Sequence, residues 1–154
     1  MATARRSRTI SASPDDLWEL IGDPHHLPRW WPRVTRVEDV DGDAFTEVFA
    51  TSKGKLVRAD FDLVLRDEQQ RTLRWAQRLE GTPFGQFLRS AETEVRLAPS
   101  AASTAQPEPG ATEVTIEVRQ LPHGFFARFG GFMIRRAANH TIDEALDGLD
   151  RISG

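Results

Sequence analysis

The 154-residue chain contains no cysteine and no tyrosine. The first absence excludes disulfides, thiolate zinc sites, iron–sulfur clusters and thiol nucleophiles together. The second removes any phenolic acid or base. Charge of one sign is missing too: 20 basic and 23 acidic residues leave a net charge of −3. So balanced a chain has no global field for nucleic acid, and no nucleic-acid partner is expected. Lysine is confined to Lys53 and Lys55, so arginine carries almost all the positive charge. No run of about 20 apolar residues occurs, and Arg5, Arg6 and Arg8 are followed by no apolar stretch of the kind a secretion signal needs. These absences predict a cytoplasmic protein. At about 150 residues per domain, one domain covering residues 1–154 is expected.

Ser13-Pro14-Asp15-Asp16 reads as a helix start. Ser13 caps, Pro14 suits the first helical position, and the two acids favour the positive end of the helix. Leu17, Trp18, Leu20 and Ile21 form its apolar face, and Gly22-Asp23-Pro24 ends it. A second short helix fits His25 to Trp30, closed by Pro32. Trp30 and Trp31 are adjacent, so at most one belongs to the core and the other reaches the surface or a cavity mouth.

From Val34 the hydrophobic period becomes two. Strands are predicted at Val34–Val40, Phe45–Ser52 and Leu56–Arg66, with turns at Gly42 and Lys53-Gly54. Further alternation marks Leu73–Leu79, Phe87–Leu97 and Val114–Val118. With a first strand ending near Thr9–Ser11, this makes about seven antiparallel strands, since the connections are too short for parallel crossovers. Ala98–Thr112 reads as a long hairpin loop. Ile134, Ala138, Ile142, Ala145, Leu149 and Ile152 then recur at steps of three and four, the stripe of a long amphipathic helix laid against the sheet. The fold class is α+β.

The order of elements, with Ser11-Ala12-Ser13-Pro14-Asp15-Asp16-Leu17-Trp18-Glu19-Leu20, Asp23-Pro24, Leu27-Pro28-Arg29-Trp30-Trp31-Pro32 and Ala145-Leu146-Asp147-Gly148-Leu149, resembles the START-related, Bet v 1-like (SRPBCC) superfamily of polyketide cyclases, dehydrases and lipid carriers. The resemblance implies a helix-grip fold: a seven-stranded curved antiparallel sheet, two short helices and a long C-terminal helix. It also implies a cavity between sheet and helix. Its mouth would lie near the turn at Lys53-Gly54, the Phe84 loop and the start of the last helix.

Alternation directs Phe61, Trp75 and Phe87 inward, with Gln77 and Arg89 as polar interruptions suited to orienting one end of a ligand. Arg89 has a second reading, an edge position whose guanidinium reaches solvent. Phe84 is the apolar tip of a glycine-bracketed loop, and the cluster Phe125, Phe126, Phe129, Phe132 and Met133, with Gly124, Gly130 and Gly131 around it, reads as an adjustable apolar lid or as ordinary core. The ligand-binding candidates are therefore Phe61, Trp75, Gln77, Phe84, Phe87, Arg89, Phe126, Phe129 and Met133. Arg128, Arg135 and Arg136 flank the cluster as they would for transient contact with an anionic membrane surface. His25 and His26 point about 100° apart on a helix and make a poor metal pair. No metal, cofactor or catalytic constellation is expected.

The leading expectation is binding or transport of a hydrophobic small molecule such as a lipid, polyketide, quinone or isoprenoid. Two alternatives remain: a polyketide cyclase or dehydrase, whose acid–base groups would have to be Arg, Asp, Glu, Ser or Thr, and a protein-interaction module with a filled core. The oligomeric state is left open.

Overall fold

Strand β1 (Ala2–Ile10) opens the chain, and helix α1 (Pro14–Gly22) follows with the Asp16 backbone N–H donating to Ser13 Oγ at 3.1 Å. A 3-10 turn (Pro24–His26) and helix α2 (Leu27–Trp30) lead into strands β2 (Val34–Asp41), β3 (Ala44–Ala50), β4 (Leu56–Asp67), β5 (Thr72–Gln77), β6 (Leu88–Pro99) and β7 (Thr112–Pro122). Helix α3 (Gly131–Ser153) ends the chain. This computed structural model describes residues 1–100, 110–124, 127–128 and 130–153. Most of the loop expected between β6 and β7 lies outside them; β6 itself continues to Pro99, beyond the predicted strand end.

The seven strands form one antiparallel sheet in the order β1-β7-β6-β5-β4-β3-β2. Strands β2 to β7 meander, and β1 pairs with β7 from Ala2↔Gln120 to Ile10↔Thr112. The chain therefore leaves one edge at β1 and re-enters at the other edge at β2, carried across by α1 and α2. The architecture is the helix-grip α+β fold, with α3 lying along the inner face.

Side-chain size divides that face in two. Around Ile10, Val95, Leu97, Val114 and Ile116 the sheet presents branched apolar residues to Ile142, Ala145, Leu146 and Leu149 of α3, and all of these are buried. Leu146 lies outside the predicted stripe and is buried all the same, because α2 packs on that flank of α3. The crossing is close: a Cβ on Gly148 would stand 2.3 Å from the Trp30 carbonyl oxygen. Arg6 and Arg8 of β1 bind Asp143 at 3.7 Å and Asp147 at 2.6 Å, tying α3 to the sheet edge. Towards its N-terminus α3 changes character. Ile134, Ala137, Ala138 and Thr141 face Ala91, Thr93 and Gln77 of the sheet. Small residues on both sides cannot close the gap, so the core gives way to a void there.

Candidate functional site

The void consists of two adjoining chambers beneath the first half of α3. One, of about 380 Å³, is bounded by Trp75, Phe87, Leu88, Ala91, Thr93, Val118 and the α3 residues just named. The other, of about 400 Å³, extends toward β3 and the β3–β4 turn, along Phe49, Thr51, Ala59 and Phe84. Trp31, Glu47, Phe61, Gln77 and Thr141 line both. Each chamber falls within the range of small-ligand sites, and the walls are mainly apolar with a few polar groups.

The aromatic wall is built stepwise. Trp30 is buried at 2 % exposure, while Trp31, the residue after α2, turns its ring into the chambers. The two indoles meet edge to face with centroids 5.4 Å apart, and Trp31 meets Trp75 in the same way at 6.1 Å. Across the sheet Phe45 and Phe61 stack at 5.4 Å. Such edge and offset contacts hold rings in place beyond what burial alone supplies.

Glu47 is the group that sequence reasoning missed. On β3 it stands between Phe45 and Phe49, two residues from each, and therefore shares their inward face. Its register partners are Val37 on β2 and Ala59 on β4, neither able to offer a charge or hydrogen bond. The small Ala59 leaves the carboxyl room beside the chamber. Glu47 is 6 % exposed, and among the described residues its carboxyl has no hydrogen-bond or ion-pair partner. Burial alone pushes it up to about 8, so it stands protonated at neutral pH, a hydrogen-bond donor in an apolar wall. The signal was present in the alternation Phe45-x-Glu47-x-Phe49.

Of the other sequence candidates, Phe61, Trp75, Gln77 and Phe87 line the first chamber and Phe84 the second, where its ring lies 6.3 Å from Phe49. Phe87 is 45 % exposed and stands at the rim. Of the two readings of Arg89, inward ligand partner or edge position reaching solvent, the structure gives the second. A bulge between Leu88 and Ser90 shifts the alternation of β6, and Arg89 Nε donates to His123 Nδ1 at 2.9 Å on the exposed surface. Met133 is also displaced from the expected lid: it is 70 % exposed beside Phe132 at 71 %, and lines neither chamber. Phe126 and Phe129, like Phe125, lie outside the described residues. His25 and His26 gather on Asp23 at the surface, His25 Nδ1 at 2.9 Å from Asp23 Oδ1.

A curved sheet closed by one long helix over such a cavity directs comparison to families that share this build. The family model described as polyketide cyclase / dehydrase and lipid transport matches residues 1–153. The chain belongs to that family. A search of curated proteins returned no match. Among solved structures, this family member is similar to XoxI from Bacillus cereus at 17% identity and a TM-score of 0.76, over 99% of this chain and 96% of that one. A START superfamily protein from Mycobacterium smegmatis superposes with a TM-score of 0.75 at 11% identity, covering 99% and 97% of the two chains. The di-domain ARO/CYC BexL from the BE-7585A biosynthetic pathway matches at 18% identity and a TM-score of 0.76, over 98% of this chain and 46% of that one. At these identities the likenesses establish the shared fold. Among the described residues of this family member, no helix is long and apolar enough to cross a membrane.

Proposed function

We propose that the protein binds a hydrophobic small molecule in the paired chambers between the sheet and the first half of α3. One observation carries this reading: small residues on α3 (Ala137, Ala138, Thr141) oppose small residues on the sheet (Ala59, Ala91, Thr93), so a void persists where the same elements elsewhere pack tightly. An aromatic wall of Trp31, Phe61 and Trp75 suits a flat or polycyclic apolar body. The family description includes both lipid transport and cyclisation or dehydration of polyketides. Binding is common to both roles, and it is the reading the chambers support.

The neutral dye N-phenyl-1-naphthylamine tests this reading. It should be taken up saturably at one equivalent, with quenching of the tryptophan emission from Trp31 and Trp75. Ala91→Trp, which places a large ring into the first chamber, should weaken uptake at least tenfold while the fold persists by circular dichroism. Uptake that is absent, or unchanged in Ala91→Trp, would contradict the assignment.

A further inference from the structure

One carboxyl on the chamber wall, that of Glu47, finds no partner among the described residues. A carboxyl removed from water without a partner costs several kcal/mol if ionised and about 1–3 kcal/mol even as an unsatisfied neutral group. Packing does not require it, because Phe45 and Phe49 fill the same face on either side and a leucine would fit the alternation equally well. Its hydrogen-bonding capacity is directed at the shared boundary of both chambers.

The charged groups nearest this boundary are engaged elsewhere or sit at its edge. Glu144 of α3 is 2.6 Å from His140 Nε2 on the helix surface. Glu92 of β6 also borders the first chamber, and its carboxylate lies 4.0 Å from the Arg119 guanidinium. Arg33, between α2 and β2, borders the second chamber with the left-handed φ of 66°. From β2 and β4, Val37 and Ala59 flank Glu47 directly, and Gln77 of β5 and Thr141 of α3 add neutral polar groups. Among the described residues none of these neutralises an ionised Glu47, so its COOH form is the one the surroundings tolerate.

We propose that Glu47 selects the ligand: its carboxyl O–H donates to an uncharged carbonyl oxygen, of a ketone or quinone, on an otherwise apolar molecule, and it rejects ligands bearing a carboxylate. This rests on the cavity-binding reading above and names the ligand class within it. A carbonyl oxygen satisfies the donor with no second charge to desolvate. A carboxylate would carry its own charge out of water into a low-dielectric chamber, and an ammonium ligand would bury a complete ion pair against the full desolvation penalty. The acid form also makes recognition pH-dependent, because ionisation of Glu47 turns the donor into a repelling anion.

A matched set of probes separates the possibilities: 2-acetylnaphthalene (ketone), 2-ethylnaphthalene (no acceptor), 2-naphthoate (anion) and 2-(aminomethyl)naphthalene (cation), each titrated calorimetrically into the full chain at pH 6.5. The ketone should bind about three- to tenfold more tightly than the hydrocarbon, the worth of one net hydrogen bond, and the naphthoate should bind weakest. Glu47→Met should erase the ketone preference and keep hydrocarbon binding. Glu47→Gln, which retains an N–H donor, should keep part of the preference. In the wild-type protein the preference should disappear between pH 7 and pH 9.5, and in Glu47→Gln it should not change with pH. Equal affinity for ketone and hydrocarbon, a preference that survives in Glu47→Met, or tightest binding of the amine would overturn the Glu47 assignment and leave cavity binding standing. No binding of any probe would overturn the cavity reading and this inference with it.

Discussion

At the scale of single residues, the most consequential position is Glu47, and its placement makes a thermodynamic prediction independent of any ligand. In an unfolded chain its carboxyl titrates near 4.5; in the folded protein burial raises this to about 8. The raised value means that folding favours the protonated form. The associated stability is fully present below pH 4.5, declines as pH rises, and is lost once pH passes the folded value. The span corresponds to at most roughly 5 kcal/mol. Glu47→Gln carries no ionisable group, so its stability should fall less between pH 5 and pH 9. The two proteins should differ by under about 1 kcal/mol at pH 5, and the variant should lead by several at pH 9. Urea denaturation at both pH values checks this. Parallel curves would show that Glu47 is solvated or partnered. The same residue shows where sequence reading stops. Alternation places Glu47 between two inward phenylalanines, but a glutamate in a strand is ordinarily assigned to water, and only the three-dimensional neighbours Val37 and Ala59 show that it gains no partner from the flanking strands.

Among the secondary-structure elements, α3 sets the depth of the cavity, and its position depends on how closely α2 approaches it. The backbone of Trp30 occupies the space a side chain at position 148 would need, at 2.3 Å from its carbonyl oxygen and 2.9 Å from its Cα. Gly148→Ala should therefore destabilise the fold by about 1–3 kcal/mol, even though alanine is the better helix former by roughly 1 kcal/mol. It should also disturb Trp31, the neighbour of Trp30 and a wall of both chambers, and so weaken dye uptake. A denaturation midpoint raised by the substitution would show that the crossing is looser than described. Elements were the most legible level of the sequence. Capping at Ser13, the switch to period two at Val34 and the stripe on α3 correspond to α1, the meander and the long helix, because each rests on local periodicity. Arg89 shows the limit of that logic: a bulge between Leu88 and Ser90 turns this one residue outward while Ala91, Thr93, Val95 and Leu97 beyond it keep the inward face the alternation predicts, and a bulge leaves no mark in hydrophobic pattern.

For the molecule as a whole, the fold divides one inner face into a packed half and an open half, and both arise from the same two layers. Where branched residues on β1, β6 and β7 meet Ile142, Leu146 and Leu149, the gap closes; where alanines and threonines meet, it stays open. The outer face is given to charge instead. Glu94 is nearly buried between Arg74 at 2.7 Å and Arg119 at 3.7 Å, an ion network that keeps that side of the sheet from competing for α3. The family and fold were legible from element order and a handful of N-terminal residues. The chambers were implied by the resemblance alone, since alternation reports which face a residue takes and not whether the space before it is filled.

Native mass spectrometry of gently purified protein, followed by solvent extraction, shows whether the chambers hold a ligand. A discrete adduct at one equivalent is expected, releasing an uncharged, largely apolar molecule and diminished or absent in Ala91→Trp. A chain that flies bare and takes up nothing from a panel of lipids, quinones and polyketides would contradict cavity binding, and would mean that the chambers between sheet and helix are closed to ligands.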